Sequence, residues 1–176
     1  MLVGLLGLVW LLSPGAGDSQ ESQLSESKVK AAFLFNFAKF VEWPQDAFAK
    51  PESPMTIGIL GESPFGSDLE AIIQNKTIND RALQIKGMRS LGEITNCHVL
   101  FISTSEKKRL SEILEGLHGA SVLTVGETEG FTEAGGMINL VREGKKFRFQ
   151  INSDAARKAK LKISSKLLGL ALPATH

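Results

Sequence analysis

Catalysis and metal binding draw on a short list of side chains, and this chain is poor in most of them. Cys97 is its one cysteine, so no intramolecular disulfide can form. It heads the apolar run Cys97–Ile102 and reads as a small buried strand residue rather than a reactive thiol. The three histidines, His98, His118 and His176, share no ligand spacing, so no metal site is expected. No Gly-x-Ser-x-Gly elbow accompanies them, which removes the serine and cysteine hydrolase patterns. Gly58-Ile-Leu-Gly61 is neither a dinucleotide fingerprint nor a phosphate loop. The ends of the apolar strands carry Leu60-Gly61, Ser103 and Gly126, without the acidic cluster of a phosphoacceptor domain. Net charge is only +1, which argues against a strong polyelectrolyte partner. The expectation is a non-enzyme with no catalytic residue, no cofactor and no metal.

Long apolar runs are also scarce. Leu2–Leu12 is eleven uncharged apolar residues, short of the roughly twenty a membrane helix needs but suited to a signal-peptide core. Ser13-Pro-Gly-Ala-Gly17 supplies a turn and small residues for cleavage near residues 15–17, although no basic stretch precedes Leu2. Residues 1–17 are expected to be a signal peptide, 18–27 a polar N-terminal segment, and 28–172 a single soluble domain, large enough for one good core.

What the chain does hold begins with Lys28–Pro44. Five aromatics, Phe33, Phe35, Phe37, Phe40 and Trp43, crowd this stretch before Pro44 stops it. Apolar residues at Val29, Phe33, Phe37 and Phe40/Val41 follow helical spacing, and Leu34, Phe35 and Ala38 make the helix apolar nearly all round. Its leading role is to cover one face of a sheet. Phe35 and Trp43 are the candidates for self-association.

After a Pro-rich linker to Pro54, Met55–Leu60, Cys97–Ser103 and Ser121–Val125 are short apolar runs of the fully buried strand type. Helices are expected between them. Ser63-Pro64 predicts one start, with Leu69, Ile72 and Ile73 inward and an end near Asn75. Ser103-Thr-Ser-Glu106 predicts another, carrying Leu110, Ile113, Leu114 and Leu117 to Gly119. Lys76–Arg81 is a polar turn centred on Asn79-Asp80, and Ala82–Gly87 alternates as a half-exposed strand. Gly136–Arg142 and Lys146–Ile151 alternate around Glu143-Gly144-Lys145, a β-hairpin. Asn152–Asp154 caps a last helix, and Ile163–Leu172 is a further helix or strand. The fold class is α/β: a mixed, mostly parallel sheet flanked by helices on both faces, with a C-terminal β-hairpin.

Two surfaces stand out. The loops Gly61–Gly66, Ser103–Glu106 and Gly126–Gly130 follow strand ends, where α/β sheets hold ligands. Ser63, Ser103 and Ser105 are therefore candidate ligand contacts, although helix capping explains each of them too. Glu127, Glu129 and Glu133 on the next connector read as solvated. From Arg142 to Lys166 there are nine basic residues against Glu143 and Asp154, a local balance of +7, whereas the rest of the chain sums to −6. Arg142, Arg148, Arg157 and Lys160 are accordingly the candidate partner-binding residues.

The segment Lys30-Ala-Ala-Phe-Leu-Phe-Asn-Phe-Ala-Lys-Phe-Val-Glu-Trp-Pro44 resembles the N-terminal signature of the YfiR-like proteins. The likeness runs on in order through Gly61–Gly66, Cys97–Ser103, Val122–Val125, Gly130–Leu140, Phe147–Asn152, Ala155-Ala156 and Ile163–Leu168. It thus spans about residues 28–170. The resemblance implies a periplasmic, dimeric α/β protein in cyclic di-GMP signalling. Such a protein would bind and restrain the periplasmic sensor domain of a membrane diguanylate cyclase and be relieved by an outer-membrane lipoprotein. Disulfide-linked control, known in the family, has no intramolecular basis in a chain with Cys97 alone. The alternative is a small-ligand-binding protein or degenerate enzyme using the strand-end loops.

Overall fold

A computed structural model describes residues 17–94 and 96–173, with side chains from Glu26 onward. The expected signal peptide lies outside the described residues up to Ala16. Helix α1 runs Gly17–Lys39, so the polar N-terminal segment expected at 18–27 is helical backbone continuous with the aromatic helix. That helix does not reach Pro44. Phe40 turns the chain, and Val41–Glu42 forms β1, antiparallel to β9 (Lys162–Ile163), with Ser164 N–H donating to Phe40 O at 3.0 Å.

The main sheet holds β2 (Met55–Leu60), β3 (Thr77–Ile78), β4 (Arg81–Met88), β5 (Val99–Ile102), β6 (Leu123–Gly126), β7 (Ile138–Glu143) and β8 (Lys146–Ile151). Their spatial order is β3-β4-β2-β5-β6-β7-β8. Pairing from β4 across to β7 is parallel, and the outer pairs β3–β4 and β7–β8 are antiparallel. The three central apolar strands β2, β5 and β6 are buried throughout, as expected when both faces are covered. Strand β3 was not expected. Asn79 and Asp80 have φ of 49° and 63°, so the polar turn is a tight two-residue connection that folds Thr77–Ile78 back on β4.

Strand alternation sorts the core into two clusters. Val99 and Phe101 face α1, α2 (Asp68–Ile73) and the C-terminal elements α4 (Ser153–Lys158) and α5 (Ser165–Leu168). Leu100 and Ile102 face α3 (Leu110–Gly116). Helices thus cover both faces. Within α1, Ala31, Leu34, Phe37 and Ala38 are fully buried, whereas Val29 is 39% exposed and Phe33 and Phe35 are half-buried. The buried stripe is therefore centred on Leu34 and Ala38, one step round the helix from the Val29–Phe33 line the spacing suggested.

Ser63-Pro64 does not start a helix. Ser63 Oγ accepts from Phe65 N–H at 3.3 Å, Gly66 takes a φ of +51°, and α2 begins only at Asp68. The reason is Phe65, whose ring must swing inward to meet Phe101 edge-on at 4.8 Å. Ser103 does cap its helix, but Thr104–Arg109 is 3-10 before α3 begins.

On the α3 face, Phe131 is fully buried between two glycines. A Cβ on Gly126 would lie 2.4 Å from Phe131 Cε2, and one on Gly136 would lie 2.1 Å from Cε1. Gly136→Ala should therefore lower stability by about 1–3 kcal/mol or more through overpacking. A urea-midpoint measurement would show it, and an unchanged midpoint would mean the ring can move aside.

Candidate functional site

The chain runs from β2 outward to β4 and returns past β2 to β5, so the sheet's topological switch lies between β2 and β5. A ligand crevice belongs above Leu60 and Ile102, but that space is occupied by the chain itself. Ser105 Oγ accepts from Glu62 N–H at 3.0 Å, and Ser103 Oγ accepts from Ser105 N–H at 3.3 Å. A Cβ on Gly61, whose φ is +86°, would sit 2.4 Å from Ser105 Oγ. Ser63, Ser103 and Ser105 therefore serve turns and caps. Ser105 binds the two loops to each other, Ser103 caps the turn that carries Ser105, and Ser63 stands apart in its own turn.

The adjacent Cys97 and His98 are also structural. Cys97 is buried, its Sγ donates to Val99 O at 3.0 Å, and burial pushes the thiol up to about 12, which keeps it un-ionised and unreactive. His98 Nδ1 accepts from Thr56 N–H at 3.0 Å, so the proton sits on Nε2, which donates to Ala47 O at 3.1 Å. Its ring stacks on Phe48 at 4.2 Å, and Trp43 Nε1–H donates to His98 O at 3.2 Å. Arg81 lies 3.7 Å over the other side of this cluster, on Phe48, and donates to Lys50 O and Ser53 O. The histidine and Arg81 thus pin the Pro-rich linker to the sheet.

Burial holds the His98 imidazole below its ordinary value. The unfolded chain then takes up a proton at a higher pH than the folded one. Stability is complete above the ordinary histidine range near pH 6.5 and is lost as pH falls through that range towards the folded value. The melting temperature should drop between pH 7 and pH 5, and it should drop less in His98→Gln. Equal slopes would remove His98 as the cause.

The four basic candidates do not form one patch. Arg142 pairs across the hairpin with Phe147, and Arg148 with Val141, so alternation places Arg142 and Arg148 on opposite faces of the sheet. Arg142 Nη1 is 2.7 Å from Glu26. Arg157 is ion-paired with Asp154 on α4, and Lys160 follows α4 with a φ of +59°. The two self-association candidates are half-buried. Phe35 is capped by Lys76 Nζ at 4.7 Å from its ring, and the Trp43 indole is committed to His98.

A charge network that the sequence reading passed over lies beside the hairpin. Lys30 is 93% buried on α1, yet its Nζ is 2.8 Å from Glu26 and 2.6 Å from Glu127. Burial pushes the Lys30 ammonium down, but hydrogen bonds to Glu127 and Glu26 outweigh it and leave the group above its ordinary value. The Lys30 hydrogen bond, more than the pull of Arg142, keeps Glu26 below the usual carboxylate range. Glu127 is thus a half-buried ion-pair partner rather than a freely solvated residue. The i, i+4 spacing of Glu26 and Lys30 was a visible signal, but nothing local announced Glu127.

Next to this network, α1 and the hairpin enclose a groove of about 660 Å³ lined by Glu26, Val29, Phe33, Arg142, Lys145, Lys146 and Phe147. Its floor is apolar and its far wall basic. A second hollow of about 330 Å³ lies between the end of α3 and α4, floored by Leu114, Leu117, Val122 and Met137. Among the described residues, no three or more His, Cys, Asp or Glu side chains gather to hold a metal ion, and no helix is long and apolar enough to cross a membrane.

One solved structure agrees on the fold. A conserved domain protein from Vibrio cholerae O1 biovar eltor str. N16961 superposes with a TM-score of 0.53 at 10% identity, over 82% of this chain and 58% of that one. An ABC domain from Streptococcus pneumonia, solved in complex with L-Trp, gives 0.49 at 12% identity over 66% of this chain and 54% of that one. This chain spans just over half the length of each. No curated protein matches it. The sequence profile of one family, however, fits residues 27–172, from the aromatic helix to the C-terminal bridge on β8. On that match the chain belongs to the YfiR/HmsC-like family.

Proposed function

We propose that this protein is a non-enzymatic periplasmic regulator that binds the periplasmic sensor domain of an inner-membrane diguanylate cyclase and restrains it. Family membership over residues 27–172 is the observation that carries this reading. It is supported by the employment of the chemically capable side chains: Ser105 ties two loops, Ser103 caps a turn, Cys97 is un-ionised, and His98 holds the linker. Control then works by population shift, with the partner held in one state by differential affinity. The reading includes cleavage of the signal peptide near residues 15–17, relief by an outer-membrane lipoprotein, and a homodimer to which Phe35 and Trp43 lend their half-exposed rings. It also assigns basic hairpin and α4 residues, Arg142, Arg148, Arg157 and Lys160, to the partner face.

Affinity capture of the tagged protein from detergent-solubilised envelope tests it. A cyclase with a periplasmic domain should be recovered, and reversal of Arg148, Arg157 and Lys160 to Glu should weaken its capture. Recovery of no membrane protein, together with a tightly bound metabolite, would instead favour a ligand-binding role, for which the hollow beside α4 is the available space.

A further inference from the structure

The hairpin combines three features that select one kind of occupant. The first is an open backbone edge. β8 is the last strand of its sheet, and among the described residues the backbone bond on its outer side comes from the C-terminal tail, Leu172 N–H donating to Phe149 O at 2.8 Å. Backbone groups of alternate residues point the same way along a strand. The N–H and C=O of Phe147 therefore face outward like those of Phe149, beyond the tail's reach.

The second feature is apolar. Val29 is among the few large apolar side chains standing open to solvent, at 39% exposure, and it shares the groove with half-buried Phe33 and Phe147. The third is charge. Among the described residues Lys145, Lys146 and Arg148 form no ion pair, while Arg142 is already held by Glu26. Glu143 stands opposite Lys146 in the register, and even with it and Glu26 counted the net charge at this edge is positive.

We propose that the β8 edge from Lys145 to Arg148, with the groove beside it, takes an extended segment of the partner protein in which acidic and apolar residues alternate. The segment adds as a strand. This rests on the regulator reading and names where and by what chemistry the partner is held. With a side-chain period of two, its acidic residues meet Lys146 and Arg148 on one face while an apolar residue enters the Val29–Phe33–Phe147 groove on the other. A second copy of this chain does not fit. Two β8 edges paired antiparallel about Phe147 would set Lys146 of one copy opposite Arg148 of the other, a destabilising like-charge arrangement. A flat anionic membrane would meet the lysines but leave the concave groove and the Phe147 backbone groups unmatched.

The test uses the ¹⁵N-labelled chain and a seven-residue peptide alternating Asp or Glu with Leu or Val. Two comparison probes accompany it: the same peptide with Lys for each acid, and phosphatidylglycerol vesicles. The acidic peptide should shift the amides of Lys145–Arg148 and Val29–Phe33. Lys145→Glu with Lys146→Glu should weaken its Kd on the order of tenfold or more, as should raised salt. Lys107→Glu with Lys108→Glu, on the exposed 3-10 turn before α3, should leave the Kd unchanged. Absent shifts, equal binding of the basic peptide, or binding to vesicles in place of peptide would overturn the proposal.

A cellular arm separates it from the regulator reading. Deleting the gene should raise cyclic di-GMP, and the Lys145→Glu, Lys146→Glu protein should fail to lower it again. If that variant restores repression fully, the groove assignment is wrong and the regulator stands. If deletion changes nothing, the regulator reading itself fails.

Discussion

Phe37→Ala should cost about 3–5 kcal/mol, a large share of the stability of a domain this size. Phe37 has no exposure, and its ring meets Phe33 at 5.7 Å and Phe149 edge-on at 5.1 Å. Truncation removes the transfer free energy of the ring and leaves a cavity between α1 and β8 that neither neighbour can fill without leaving its own seat. Phe33→Asp together with Phe37→Asp goes further, placing a carboxylate where nothing can solvate it, and should abolish folding. Circular dichroism and a urea titration give the answer. A folded monomer from the double aspartate variant would mean this side of α1 is a dimer seam rather than core.

The second large effect is expected from Lys30→Met, which should destabilise by about 2–4 kcal/mol. That is somewhat below the usual loss for breaking a buried pair, because Glu127 keeps some contact with water. Methionine matches the stem of the lysine but strands Glu127, while Glu26 keeps its pairing with Arg142. Adding Glu127→Gln to Lys30→Met should return most of the loss, since the stranded charge goes with it. Unfolding midpoints of the two single variants and the double variant form the cycle. If the double variant is as unstable as the sum of its parts, the ion pair is not what holds Lys30.

The parts of the fold readable from sequence were those fixed by local pattern. Met55–Leu60 and Lys146–Ile151 are strands at the expected residues because unbroken apolar and strictly alternating runs have few other uses. The parts that escaped were decided at a distance. Phe40, Val41 and Trp43 continue the aromatic crowding of α1, and apolarity alone could not say that Val41 would pair with Ile163 instead. Ser63-Pro64 satisfies the rule for a helix start, yet the space beside Phe101 drew Phe65 inward first.

The basic excess was visible as a count, but a count has no faces. Only the hairpin register shows that Arg142 and Arg148 look opposite ways and that Lys145 and Lys146 border the groove. Lys30 sits in the middle of an apolar run, and its reason for being there, Glu127, lies 97 positions further along the chain.

The seat of Phe131 between Gly126 and Gly136 has a mechanical consequence. It rivets the connector between β6 and β7 to the α3 side of the sheet. One residue past Gly126, Glu127 reaches the other side and grips α1 through Lys30. Load applied to α1 is thereby passed over the sheet rim to a ring packed in the opposite layer. In Lys30→Met the amides of Ile113 and Leu114 should lose hydrogen-exchange protection along with Leu34, although they lie on the far side of the sheet.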